Sequence, residues 1–166
     1  MITLFEGFKK IPNVNSVSPE FWEMIEYADW NSFIKIYNDE NRTKMYKDIL
    51  DEERYKLYIK YSFDEIKNFY KEYVRLYHQF WIYFKSLWIE KQLMSEDSYY
   101  YSDLISSIIG RGKIFAKNII LNTEVFLQMA RNEDYAENFG YLFTVSKSEY
   151  DKILEPMYKD ISKLNL

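Results

Sequence analysis

SFDEIKNFYKEYVRLYHQFWIYFKSLWIEKQL, residues 62–93, decides the fold class. Its first four residues, Ser62-Phe63-Asp64-Glu65, have the capping-box form, in which the Ser hydroxyl and the Glu carboxylate each take up a backbone N–H left over at a helix start. Beyond them Ile66, Phe69, Tyr70, Tyr73, Tyr77, Phe80, Trp81, Phe84, Leu87 and Trp88 recur at steps of three and four. That spacing gathers them on one face of an α-helix and would scatter them on a strand. Asn68, Glu72, Arg75, Gln79, Ser86 and Glu90 follow the same steps on the opposite side. Between Phe80 and Ile89 the apolar face widens until it nearly closes, the pattern of a helix that runs through the middle of a domain. A long central helix over about 62–93 is the expected core.

The flanking sequence agrees with this reading. With 4 Gly and 3 Pro in 166 residues and no alternating Val- or Thr-rich segment, the chain reads as all-helical. Ser18-Pro19-Glu20 supplies an N-cap, a proline at the first helical position and an acid at the positive helix end, opening a helix through Phe21, Trp22, Met24, Ile25 and Ala28. Asp29 caps a short helix over Trp30 to Tyr37, with Phe33, Ile34 and Tyr37 inward. From Arg42 to Tyr61 the positions Met45, Ile49, Leu50, Leu57 and Tyr61 give one helix, or two broken near Leu50-Asp51.

After the central helix, Ser95 to Ser98 is a loop that caps a helix through Tyr101, Leu104, Ile105, Ile108 and Ile109. Gly110-Arg111-Gly112 then interrupts the pattern, since each glycine costs roughly 1 kcal/mol inside a helix. Phe115 to Ile120 resumes it, and Asn122 caps a helix over Thr123 to Arg131. A segment begins at Asp134, and Ser146 to Glu149 forms a second capping box whose helix Pro156 ends or kinks. The expected architecture is all-α: residues 1–17 form an N-terminal arm, apolar at Ile2, Leu4, Phe5, Phe8 and Ile11. Residues 18–166 form a single helical domain of seven to nine helices.

Composition narrows the chemistry. There is no cysteine, so disulfides, thiolate metal sites and cysteine nucleophiles are excluded. The first residues lack a charged start followed by an apolar run, and the longest apolar run is about half the ~20 residues that a membrane span needs, so a cytoplasmic protein off the membrane is expected. A net charge of −4 works against nonspecific nucleic-acid binding. Seventeen Tyr, 12 Phe and 4 Trp fit either surface hot spots or the A+T-rich codons that Tyr, Phe, Lys, Asn and Ile share.

The lone histidine, His78, has no second ligand or carboxylate at a useful spacing, so neither a metal nor a cofactor is expected. Arg111-Gly112-Lys113 resembles a phosphate-holding helix start, although its glycines fit neither the P-loop nor the dinucleotide pattern. Arg42 to Tyr61 mixes Lys44, Lys47, Arg54, Lys56 and Lys60 with four tyrosines, as single-strand binders do, but Asp48, Asp51, Glu52 and Glu53 cancel the field. Acids at Glu96, Asp97 and Asp103, and at Glu133, Asp134 and Glu137, coincide with helix starts, where they belong electrostatically. They are also the best candidates for a surface that attracts a basic partner.

Phe21-Trp22-Glu23-Met24-Ile25-Glu26, the run Asp103 to Lys113 and Asn122-Thr123-Glu124 resemble motifs of the bacterial domain-of-unknown-function family numbered forty-two-forty. The resemblance covers roughly residues 18–143. Ile105, Ser107 and Thr123 stand where that family carries Arg, Trp and Pro. The family has no assigned activity, so the resemblance implies none.

The function expected is a non-enzymatic module that binds another protein, in its most concrete form an immunity protein neutralising a basic toxin domain. The alternative is an enzyme or small-ligand binder using Asp97, Tyr100, Tyr101, Asp103, Arg111 and Lys113. A second alternative is nucleic-acid binding.

Overall fold

The computed structural model describes residues 10–39, 43–91, 98–132, 139–143 and 146–164, and among them the regular structure is helical with no strand. The helices are α1 (Pro19–Ala28), α2 (Trp30–Asn38), α3 (Tyr46–Lys60), α4 (Phe63–Glu90), α5 (Ser98–Gly110), α6 (Lys113–Leu121), α7 (Thr123–Arg131) and α8 (Lys147–Leu164). A 3₁₀ turn over Phe139–Leu142 lies between the last two. The segments containing residues 1–9 of the arm, Glu96, Asp97 and the acids at 133, 134 and 137 lie outside the described residues.

Local chemistry sets the helix starts. Ser62 accepts from the Glu65 N–H (3.2 Å) while the Glu65 carboxylate accepts from the Ser62 N–H (2.7 Å), so α4 opens on a complete capping box. Ser146 and Glu149 repeat it at α8 (3.3 and 3.1 Å). Ser18 Oγ accepts from the Phe21 N–H ahead of Pro19, and Asp29, at φ 46°, caps α2 through the Ser32 N–H. Several details refine the sequence expectations. Of the two alternatives for this stretch from residue 42 to 61 the single helix is found, unbroken over Tyr46–Lys60, but Met45 at its start is 76% exposed rather than inward. Asn122 stands before α7 without a side-chain cap bond. Helix α8 continues through Pro156, whose ring removes one N–H donor but not the rest of the ladder.

Ile66, Phe69, Tyr73, Leu76, Phe80, Phe84 and Trp88 form the buried face of α4, within one apolar cluster that extends from Val14 to Leu154. The apolar face does not close between Phe80 and Ile89, because Ile82 and Ile89 remain 52% and 62% exposed. The helix enclosed on every side is α5: Leu104, Ile105, Ser106, Ser107, Ile108, Ile109 and Gly110 are all buried. Its two serines are acceptable there because Ser106 is a hydrogen-bond hub. Ser106 Oγ accepts from the Phe139 N–H (2.6 Å) and pairs with the Tyr73 hydroxyl (2.7 Å). Tyr58 donates to the Leu142 carbonyl (2.8 Å) and Arg54 to that of Tyr141, so α3 and α5 together hold the 3₁₀ turn in place.

The two glycines between α5 and α6 have separate causes. Gly112 sits at φ 98°, ψ 171°, a region open essentially to glycine, and nothing lies within 4 Å of where its Cβ would be. Gly110 is helical, and a Cβ there would meet Trp30 Cδ1 at 2.6 Å and Cγ at 2.9 Å. The indole has no room to retreat, being stacked on Phe33 (4.6 Å) and edge-on to Phe139 (5.0 Å). Gly110→Ala is therefore expected to lose up to about 2 kcal/mol in urea unfolding, an overpacking cost of about 1–3 kcal/mol set against a helix-propensity gain of about 1. A stabilised Gly110→Ala variant would mean that the indole moves freely.

Candidate functional site

The described residues among those singled out around the α5–α6 junction sit in different environments. Asp97 lies outside the described residues. Tyr100 is exposed, whereas Tyr101 one position on is 3% exposed, wedged between the Trp81 and Trp88 rings (4.4 and 5.1 Å) with its hydroxyl donating to the Trp81 carbonyl. Burial raises the Tyr101 pKa, as suits a structural phenol that keeps its proton. Asp103 is half-buried near Tyr77, whose hydroxyl pairs with Ser102 (2.8 Å). The Arg111 guanidinium lies over the Phe115 ring (5.1 Å), and Lys113 is exposed. None of these residues lines any of the cavities described below.

The basic and aromatic stretch of α3 is internally neutralised. Lys44 pairs with Glu52, Lys56 with Glu53 (2.9 Å) and Arg54 with Asp51 (3.5 Å), while Arg54 also donates to the Tyr141 carbonyl. A cavity of about 280 Å³ beside it mixes Lys47, Arg54 and Lys152 with Asp51 and Glu149. No group of three or more His, Asp or Glu among the described residues is arranged to hold a metal ion.

A different feature has a consistent chemical character: a groove of about 380 Å³ where α1 crosses the first turns of α4. Phe21 and Phe69, stacked at 4.6 Å with planes 9° apart, form its apolar floor with Met24. Glu20, Glu23, Glu65 and Glu72 line its rim together with Tyr61 and Asn68, and no Lys or Arg does. The four carboxylates are not equivalent. Glu65 is engaged by the Ser62 N–H, and Glu72 accepts from both the N–H and the hydroxyl of Ser18 (2.9 Å each). Glu20 and Glu23 are exposed at the groove's edge.

Packing holds the groove's walls in register. The Tyr150 hydroxyl on α8 donates to the Tyr61 carbonyl (2.7 Å), with that of Tyr58 close by (3.1 Å), and so pins the α3–α4 corner. At the same corner the Lys60 ammonium lies 3.8 Å from the Tyr27 ring centroid and 5.4 Å from that of Tyr61. The chain's own lysine thus shows how these rings receive a cation. Sequence reasoning assigned Glu20 and Glu65 to helix starts and Glu72 to a polar flank. Each assignment holds locally, yet only the α1–α4 crossing brings the three together, and no spacing within one helix reports that crossing. No family model, curated protein or solved structure matches the chain.

Proposed function

We propose that this chain is a non-enzymatic, protein-binding helical module whose partner presents Lys or Arg side chains to the groove between α1 and α4. The observation that carries the reading is the groove's rim: four glutamates and no basic residue over an apolar, aromatic floor. Acid around an apolar base suits a long cationic side chain, whose methylene stem covers Phe21 and Phe69 while its head reaches the carboxylates. A toxin-neutralising role is the form of this reading in which the basic partner is a toxin domain.

The reading is tested by capture from the source cell with the wild-type chain and the Glu20→Lys/Glu23→Lys variant side by side. Both side chains are exposed, so the variant keeps its fold. The expected result is a stoichiometric basic protein retained by the wild type and lost by the variant, with affinity falling tenfold or more for the two reversed charges, about 1.4 kcal/mol at least. A partner held equally by both, or no stoichiometric partner at all, overturns it.

A further inference from the structure

Opposite its core face, helix α4 presents a surface whose charge differs from that of the chain as a whole. At 3.6 residues per turn, Lys67, Lys71, Arg75, His78 and Lys85 fall within an arc of roughly 100° directed away from Phe69, Tyr73, Phe80 and Phe84. All five are exposed. The same arc carries Val74, Ile82 and Ile89, which are 45%, 52% and 62% exposed. It holds no acid between residues 67 and 89, because Glu72 lies on the groove side and is engaged by Ser18.

The chain has 26 acids against 22 bases, so a face with Lys67, Lys71, Arg75 and Lys85 and no carboxylate is a local concentration that composition does not produce. None of these four cations is in an ion pair among the described residues. Arg75 donates to the Ser16 carbonyl and keeps its charge. The face shares no residue with the groove between α1 and α4. An anionic occupant is therefore called for, and shape selects among the anionic classes.

From Lys67 to Ile89 the stripe is roughly 33 Å long at 1.5 Å per residue. It is the outer surface of one helix, and none of its residues lines either cavity described above. An acidic helix binds in a groove, and a nucleic-acid strand stacks on aromatic rings. This face has neither, and branched aliphatics stand between its cations. A flat anionic surface with hydrocarbon beneath it matches both features, since lysine heads reach the phosphates while isoleucines enter the headgroup boundary. No helix among the described residues is long and apolar enough to cross a membrane, which leaves contact with the surface.

We propose that the outer face of α4, from Lys67 to Ile89, docks on an anionic lipid bilayer with the helix axis in the membrane plane. Each cation held near such a surface adds about fivefold to binding. The isoleucines add an apolar contribution that a soluble polyanion cannot supply.

The test is co-sedimentation of the full chain with phosphatidylcholine vesicles, with and without phosphatidylglycerol. Lys71→Glu/Lys85→Glu is compared with Lys35→Glu/Lys117→Glu, which changes net charge equally at exposed positions on α2 and α6. Ile82→Ser/Ile89→Ser leaves charge unaltered. All the sites are exposed, and helical circular dichroism confirms that each variant folds. Binding is expected to be about tenfold or more stronger with phosphatidylglycerol, and to fall about tenfold or more in the α4 lysine variant but less than about threefold in its control. The serine variant is expected to lose about threefold or more. Equal binding to neutral vesicles, equal losses in the two lysine variants, or no loss in the serine variant overturns the proposal. Soluble polyglutamate that is held by the wild type and released by Lys71→Glu/Lys85→Glu would assign the face to an acidic polypeptide and overturn it as well.

Discussion

Raised above pH 10, the protein is expected to unfold cooperatively, with tyrosinate absorbance appearing together with the loss of helical circular dichroism. The cause lies in the side chains of Tyr58, Tyr73 and Tyr101, which are 2%, 3% and 3% exposed. Burial is the leading reason that each phenol is pushed above its ordinary value, and for Tyr73 it outweighs the opposing hydrogen bond from Ser106. In the unfolded chain these phenols titrate near pH 10, so the folded state holds protons that the unfolded state has released. The stability that they contribute is complete below pH 10 and is lost as pH rises beyond it. Each withheld ionisation removes about 1.4 kcal/mol per pH unit, so the three together remove about 4 kcal/mol per unit, against a total of 5–15 for an ordinary domain. Spectrophotometric titration alongside far-ultraviolet circular dichroism checks this. Complete tyrosine ionisation with the helical signal intact would show that these phenols are not sealed in the core.

The same tyrosines show where sequence reading succeeds and where it stops. Tyr73 is identifiable as core from the three-and-four spacing of α4, because periodicity within one helix reports which way a side chain points. The capping boxes at Ser62 and Ser146 and the caps at Ser18 and Asp29 are legible for the same reason: their partners lie three residues away. Tyr58 is different. Its hydroxyl is satisfied by Leu142, 84 positions on, and nothing local marks it for burial. The enclosure of α5 is likewise invisible in its own sequence, where Ser106 and Ser107 suggest a wet face. What buries them is the 3₁₀ turn, held over Ser106 by a backbone N–H 33 residues away.

Two pairs of residues make the corresponding point for the candidate site. Arg111 and Lys113 attracted notice because they flank a glycine, but Gly110 is required by Trp30 and Gly112 by its backbone angle, so packing accounts for the glycines without a ligand. Glu20 fits the ordinary acidic start of a helix, and Glu20 and Glu23 come to line a groove with Glu65 and Glu72 only because α4 crosses there. A single sequence reports one helix at a time. A groove between two helices is a property of their crossing, which depends on how Phe21 stacks on Phe69 rather than on any motif.

Phe84→Ala is expected to cost about 3–5 kcal/mol in urea unfolding, the range for truncating a sealed phenylalanine. Phe84 is 0% exposed and stacked on Phe126 of α7, with centroids 4.3 Å apart and planes 8° from parallel, while Tyr83 meets it edge-on at 4.9 Å. The cost should sit at the upper end, because the cavity is walled by rings that cannot collapse into it. Phe80 lies one turn away, fully buried and itself stacked on Phe84 at 6.3 Å, and Phe126 belongs to another helix. Part of the loss is specific to the α4–α7 pair, so Phe84→Ala and Phe126→Ala should combine non-additively, with a coupling of about 0.5–1.5 kcal/mol. Leu121→Ala supplies the contrast: it removes a leucine that is 79% exposed, and the expected change lies within about 0.5 kcal/mol. If Phe84→Ala cost no more than Leu121→Ala, or if the Phe84 and Phe126 losses simply added, α7 would not be anchored on the buried face of α4. The packing derived from that face would then have to be redrawn from Phe80 onward.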